Sequence, residues 1–200
     1  MYRAIVFDLG NVLLKFDYQI IINTLNNIEK GLGDKFAELY YKNYHLHEQL
    51  EKDEISVEDF TNTMLNHLNH KVTAEEFYHI YSDMFSPNKE VIELLPKLKL
   101  NYKLFLLSNT NYIHQKYGWQ QYEFLKYFDK LLLSQELKSR KPEQAIFKKA
   151  QEIIGCKPSE IFFTDDVAEY VEAAKKTGWD AVQFTGFDSL QTELRNRKIL

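Results

Sequence analysis

The stretch Ile5-Val6-Phe7-Asp8-Leu9-Gly10-Asn11-Val12-Leu13-Leu14, IVFDLGNVLL, decides the fold. Ala4–Phe7 is a short apolar run of strand character, and an aspartate follows it directly. Gly10 then lets the backbone turn sharply, so that its carbonyl and the next amides can face a site. A strand of this kind delivers Asp8 on a rigid support, with the Gly10-Asn11 turn shaping a phosphate nest beside it.

Four more runs of the same character follow: Lys103–Leu107, Lys130–Leu133, Ile161–Phe163 and Ala181–Phe184. Helical patterns separate them. Glu90–Leu100 is one, with a break at Pro96; Glu143–Ile154 is another, ended by Gly155; Val167–Thr177 is a third, ended by Gly178. Strands alternating with helices predict an α/β domain around a mostly parallel sheet. Strands without polar alternation predict a sheet covered on both faces.

Residues 17–87 read differently. They are rich in helix formers, and apolar residues such as Leu39, Leu50, Phe60, Met64, Phe77 and Tyr81 recur at roughly helical spacing. Ser56 and Thr73 read as helix N-caps, the second with Glu76 in a capping box, and Asp17 as a cap for the first of these helices. The expected organisation is a core domain of residues 1–16 and 88–200 with a helical cap domain of residues 17–87 inserted after the first strand.

Composition narrows the function classes. Of 200 residues, 44% are hydrophobic and 27% charged, and the net charge is -4. A basic footprint for nucleic acid is missing. One cysteine, Cys156, excludes an internal disulfide framework and fits a reducing compartment. Asp8 interrupts the N-terminal apolar stretch too early for a signal peptide, and no run nears the roughly 18 apolar residues of a membrane span. The expectation is a cytoplasmic protein, monomer or weak dimer, whose partner is a small phosphorylated metabolite rather than nucleic acid or membrane.

The chemistry gathers after the strands. In open parallel sheets, ligands bind beyond the carboxyl ends. Asp8 and Asn11, Ser108 and Asn109, and Asp165 and Asp166 all fall there, and Lys141 precedes a helix that follows the third strand. Taken singly, each has a plainer role: a turn or helix cap for the aspartates and for Ser108-Asn109, a solvated ammonium for Lys141. Taken together after successive strands, they describe one crevice. Three close carboxylates call for a cation, and oxygen ligands suit Mg²⁺. A carboxylate can also serve as a covalent nucleophile, while a lysine and a hydroxyl neutralise phosphate oxygens.

Four segments in order, Asp8-Leu9-Gly10-Asn11-Val12, Leu107-Ser108-Asn109, Lys141-Pro142-Glu143 and Phe162-Phe163-Thr164-Asp165-Asp166, resemble the motifs of the haloacid dehalogenase-like hydrolases. The helical insertion between the first two motifs is similar to the cap of that family. The resemblance implies a Rossmann-like three-layer parallel sheet core under a helical bundle. It implies Asp8 as nucleophile and Mg²⁺ held by Asp8, the Gly10 carbonyl and Asp165 or Asp166. Ser108, Asn109, Asn11 and Lys141 would then grip the phosphoryl group, helped by the amides around Asn109 and Gly10-Asn11. Within the family, FDLGNV, LSNTN, RKPE and the Phe-Phe-x-Asp-Asp ending are similar to bacterial phosphatases of α-D-glucose 1-phosphate.

Two positions depart from the family pattern. Many of its phosphatases carry a second Asp, a general acid–base, where this chain has Gly10. General acid–base help is typically worth about 10²–10⁴ in rate, so its absence favours leaving groups of low basicity, such as the hemiacetal oxygen of a sugar 1-phosphate. Tyr170 replaces a frequent Asn and brings the hydrogen bonding of the Asp165-Asp166 loop into question. The alternatives are a 2-haloacid dehalogenase, which lacks the acidic pair, and a non-catalytic binding module. Substrate choice is expected in the cap, at His45, His47 and Glu48, with Trp119 from the loop beyond the second motif; otherwise the two histidines lie on a solvated helix face. Tyr40, Tyr41 and Tyr44 read as core or cap interface.

Overall fold

A computed structural model describes residues 1–200. Five strands form one parallel sheet: β1 (Ala4–Phe7), β4 (Lys103–Ser108), β5 (Lys130–Leu133), β6 (Ile161–Asp165) and β7 (Asp180–Gln183), in the order β5-β4-β1-β6-β7. β1 lies at the centre, with Phe7 paired to Leu106 on one side and to Thr164 on the other. That register places Asp8, Ser108 and Asp165 at the same end of three adjacent strands.

Alternation along each strand splits the core into two layers. Ile5, Phe7, Leu104, Leu106 and Phe162 face one way. They pack on α7 (Leu95–Lys99) and α11 (Phe187–Asn196) through Leu95, Leu98, Leu190 and Leu194. Val6, Phe105, Leu107 and Phe163 face the other way. They meet α9 (Gln144–Ile154) and α10 (Ala168–Lys176) through Ile146, Phe147, Ala150 and Ala174. The expected break at Pro96 is real. α6 (Lys89–Ile92) and α7 are separate short helices, and Pro96 sits in the first turn of α7, where its missing N–H costs nothing.

Five helices fall within residues 17–87: α1 (Tyr18–Ile28), α2 (Leu32–Lys42), α3 (Tyr44–Glu51), α4 (Val57–His67) and α5 (Ala74–Ser82). They share an apolar cluster of their own, with Ile21, Leu25, Phe36, Phe60, Phe77 and Tyr81 at its centre. Asp17 accepts from the Gln19 amide, Ser56 accepts from the Asp59 amide, and Thr73 with Glu76 completes the capping box. Gly33 sets the contact between α1 and α2: a Cβ there would lie 2.0 Å from the Ile22 carbonyl oxygen.

A small ribbon absent from the sequence reading flanks the bundle. β2 (Leu14–Phe16) pairs antiparallel with β3 (Phe85–Pro87). Three-residue strands carry too little periodicity to stand out in a sequence. The segment 114–127 also has structure, a π-helical turn at His114–Trp119 and a 3₁₀ turn at Glu123–Tyr127. No helix is long and apolar enough to cross a membrane.

Candidate active site

The carboxyl end of the sheet opens into a cavity of about 210 Å³. Asp8, Gly10, Ser108, Asn109, Lys141, Asp166 and Tyr170 line it from the sheet side; Tyr18, Tyr44, His47 and Glu51 reach it from α1 and α3.

Lys141 is its centre. The side chain is buried, and Nζ donates to Asp8 Oδ1 at 2.6 Å and to Asp165 Oδ2 at 2.5 Å. Asn109 positions the lysine by gripping its backbone: Oδ1 accepts from the Lys141 amide at 2.8 Å and Nδ2 donates to the Lys141 carbonyl at 2.9 Å. The Lys141-Pro142 peptide is cis. The Tyr170 ring lies 5.2 Å from the ammonium. The question raised by Tyr170 is answered there: it supplies an aromatic face to Lys141, and the Asp165 loop is held instead by the Val167 amide donating to Asp165 Oδ1 at 2.9 Å.

One oxygen each from Asp8, Asp165 and Asp166 lies within 4.8 Å of the others. Burial pushes the Asp8 carboxyl up to about 8, against the pull of Lys141 and with the charges of Asp165 and Asp166 adding to the rise. Burial raises Asp165 as well, again against Lys141. Ionised together, the three carboxylates beside one ammonium would carry a surplus of negative charge that a single divalent cation balances. Because every donor is oxygen, the set suits Mg²⁺.

Two expectations about the Gly10-Asn11 turn need correcting. The Asn11 amide is not free for a phosphate, because it donates to the Leu14 carbonyl at 2.7 Å. The Asn11 side chain donates to Asp166 Oδ2 at 2.8 Å, so it orients a carboxylate. The turn does need an unusual backbone, and Asn11 takes it with φ 54°. At Gly10 a Cβ would stand 3.0 Å from the Phe16 ring and 3.8 Å from Asp8 Oδ2, so an aromatic edge occupies the space of the missing second acid. Ser108 is buried at the cavity wall.

Of the residues expected to choose the substrate, His47 and Trp119 line the cavity. His47 is buried: Nδ1 pairs with the Tyr81 hydroxyl at 2.7 Å and Nε2 meets Glu51 Oε1 at 3.2 Å. His45 is exposed on the other side of the same helix, as a spacing of two dictates. Glu48 is half-buried and binds Arg140. Of the three tyrosines, Tyr40 is buried, Tyr41 is exposed and Tyr44 reaches the cavity.

Arg140, Glu51 and His114 also line the cavity, and none of them was expected there. Arg140 donates from Nε to Glu51 Oε2 at 2.8 Å and from Nη1 to Glu48 Oε1 at 2.7 Å. Arg140 stands next to Lys141, and that adjacency was the available signal; its partners are some ninety residues away. His114 is buried behind Tyr81, with ring centroids 4.3 Å apart, and burial pushes its imidazole down to about 3. The Asn111 amide facing His114 Nδ1 at 3.2 Å suits that neutral ring.

Residues 5–184 match the haloacid dehalogenase-like hydrolase family. The chain belongs to that family. A phosphorylated carbohydrates phosphatase of Thermotoga maritima is 24% identical over 192 residues, covering 90% of this chain and 83% of the relative. A pyrimidine 5'-nucleotidase of Streptococcus pneumoniae is 23% identical, covering 92% and 84%. Among solved structures, a family enzyme of Bacteroides thetaiotaomicron in complex with magnesium and inorganic phosphate superposes with a TM-score of 0.75 at 27% identity. That match covers 92% of this chain and 94% of the other. Family members therefore share with this chain the parallel sheet, and the fold expected from the four motifs is the fold observed.

Proposed function

We propose that this chain is a Mg²⁺-dependent phosphomonoester hydrolase acting on small phosphorylated metabolites, sugar 1-phosphates foremost, through an aspartyl-phosphate on Asp8. The observation that carries the reading is the buried lysine bridging Asp8 and Asp165 at the floor of a cavity that Ser108 and Asp166 also line. The magnesium and phosphate complex of the Bacteroides enzyme and the phosphatase names of the two relatives support it.

In the reaction a carboxylate oxygen of Asp8 attacks phosphorus. The bond from phosphorus to the ester oxygen breaks, and its electron pair leaves on that oxygen. Water then attacks phosphorus, the bond from phosphorus to the Asp8 oxygen breaks with its electron pair on the carboxylate, and inorganic phosphate leaves; the proton that water gives up balances the one the departing ester oxygen takes from solvent. Lys141 and Ser108 bind the phosphoryl oxygens, and Lys141 balances negative charge throughout. Asp8, Asp165, Asp166 and the Gly10 carbonyl would hold Mg²⁺, with Asn11 orienting Asp166. When bound, Mg²⁺ would supply the positive charge that eases attack of one anionic group on another. Residues 17–87 act as a cap that closes the cavity over the leaving group.

The leaving oxygen departs without a carboxylic acid at position 10, where Phe16 occupies the space. A hemiacetal oxygen is less basic than an ordinary alkoxide, which favours anomeric phosphates. A displacement at carbon, as in a dehalogenase, would give the Asp165-Asp166 pair no task.

The test is phosphate release from hexose 1-phosphates, hexose 6-phosphates and nucleoside monophosphates, in Mg²⁺ and in EDTA. Mg²⁺-dependent release that Asp8→Asn abolishes, with 1-phosphates ahead of 6-phosphates, is the expected result. A folded protein that binds Mg²⁺ and hydrolyses none of them overturns the reading.

A further inference from the structure

The two cations in the cavity wall are both fully engaged. Lys141 sits between Asp8 and Asp165. Arg140, the other, is bonded to Glu51 and Glu48. Glu51 is itself buried, and its second oxygen meets His47. Even with His47 charged, these four groups sum to zero, so the cluster offers no positive surplus to a ligand. His114, the other histidine of the wall, is held neutral by burial. The same cavity wall also carries aromatic side chains: Tyr18, Tyr44, Phe85, Trp119 and Tyr170.

We infer that the cavity accepts phosphomonoesters whose leaving group is uncharged and rejects those bearing a second anionic group, with Glu51 as the specificity-determining residue. The inference rests on the phosphatase reading of the site. Its physical ground is the absence of an unpaired cation for a second anion. A carboxylate or second phosphate entering beside Glu51 would lose its water against aromatic rings and meet a like charge. Such juxtapositions act as the repulsive half of specificity. A neutral hydroxylated ring would stack on the aromatic walls and lend hydroxyls to Glu51 and His47. Burial pushes the Glu51 carboxyl up, but His47 and Arg140 outweigh it and keep the group ionised.

Two substrate pairs vary the charge of the leaving group, the first at nearly constant size. Glucose 1-phosphate and glucuronic acid 1-phosphate differ at one carbon, a hydroxymethyl against a carboxylate. Uridine and orotidine 5'-monophosphates differ by a ring carboxylate. With Mg²⁺ present, the charged member of whichever pair is used is expected to show kcat/KM about 100-fold lower. Glu51→Gln should narrow that gap by about tenfold, and Glu48→Gln, at the more exposed end of the cluster, by less. Thermal melting establishes that each variant is folded, and Glu48→Gln keeps the test alive if Glu51→Gln is not. Equal kcat/KM within each pair, or a gap unchanged in both folded variants, overturns the inference. Acetyl phosphate, with its small leaving group, reads the phosphoryl chemistry separately. Its hydrolysis alongside equal treatment of the pairs sinks the specificity and leaves the phosphatase standing. Hydrolysis of none of these compounds, acetyl phosphate included, by the folded, Mg²⁺-loaded protein overturns the phosphatase reading and the inference with it.

Discussion

Lys141 and Asp8 stand 133 residues apart in the chain, and their side chains meet at 2.6 Å in the interior. The contact exists because β1 ends at Phe7 and because Asn109, just past β4, clamps both backbone polar groups of Lys141. An ammonium held this way keeps its charge, since the two aspartates outweigh the burial that works against it.

Replacing it should be costly to the reaction. Lys141→Met keeps much of the length and removes the charge. Loss of one charge-stabilising donor typically lowers kcat by about 10²–10³, and here the same group also offsets the repulsion among carboxylates. A drop of at least about 10² in kcat, in a variant that still melts cooperatively, is expected. A variant within about threefold of the parent would remove Lys141 from the chemistry.

Mg²⁺ should stabilise the fold through the same aspartates. A ligand at about 100 times its Kd adds about 2.7 kcal/mol, so the melting temperature should rise on adding Mg²⁺ and fall back in EDTA. Asp165→Asn and Asp166→Asn should each shrink that rise. An equal rise in parent and both variants would place the cation elsewhere.

Glu51 makes acid stability depend on pH in a defined direction. Burial raises its carboxyl, His47 and Arg140 more than offset this, and the net shift is below the ordinary value of 4.5. A group with a lowered folded value contributes fully above its unfolded value, and that contribution is lost as pH falls through the folded one. Melting temperature should therefore drop below about pH 4.5, and Glu51→Gln should flatten that limb. At neutral pH the variant should lose ~2–3 kcal/mol, less than the usual 3–5 for a broken buried pair because Glu48 still holds Arg140. Parallel melting curves for parent and variant across the range would contradict this assignment.

Gly33 marks a close approach of α2 to α1. An alanine Cβ would stand 2.0 Å from the Ile22 carbonyl, a backbone atom that cannot rotate away. Gly33→Ala should destabilise by about 1–3 kcal/mol or more. Gly155, with φ 68° and no atom within 4 Å, pays only for its backbone angle, so Gly155→Ala should cost less. Urea denaturation of the two variants side by side tests the order.

Much of this molecule was legible in its sequence because the signals are local. Four apolar runs followed by Asp8, Ser108-Asn109 and Asp165-Asp166, or leading to Lys141, already describe a parallel sheet with its chemistry at one end. Continuous apolar runs and a capping box need only near neighbours to be recognised. The caps at Asp17, Ser56 and Thr73 and the break at Pro96 were readable for the same reason. What only the tertiary structure decided depends on long-range contact. The amide of Asn11 looked available until Leu14 folded back onto it. Phe16 fills the space beside Gly10 only because β2 pairs with β3. His47 leaves the solvated face it could have shared with His45 because Tyr81 and Glu51 receive it. Arg140 joins Glu51 across 89 residues, and no spacing in a single chain encodes that. Sequence carries the residues whose chemistry a local pattern requires; the charges that remain unpaired in the cavity are settled only when distant segments close around it.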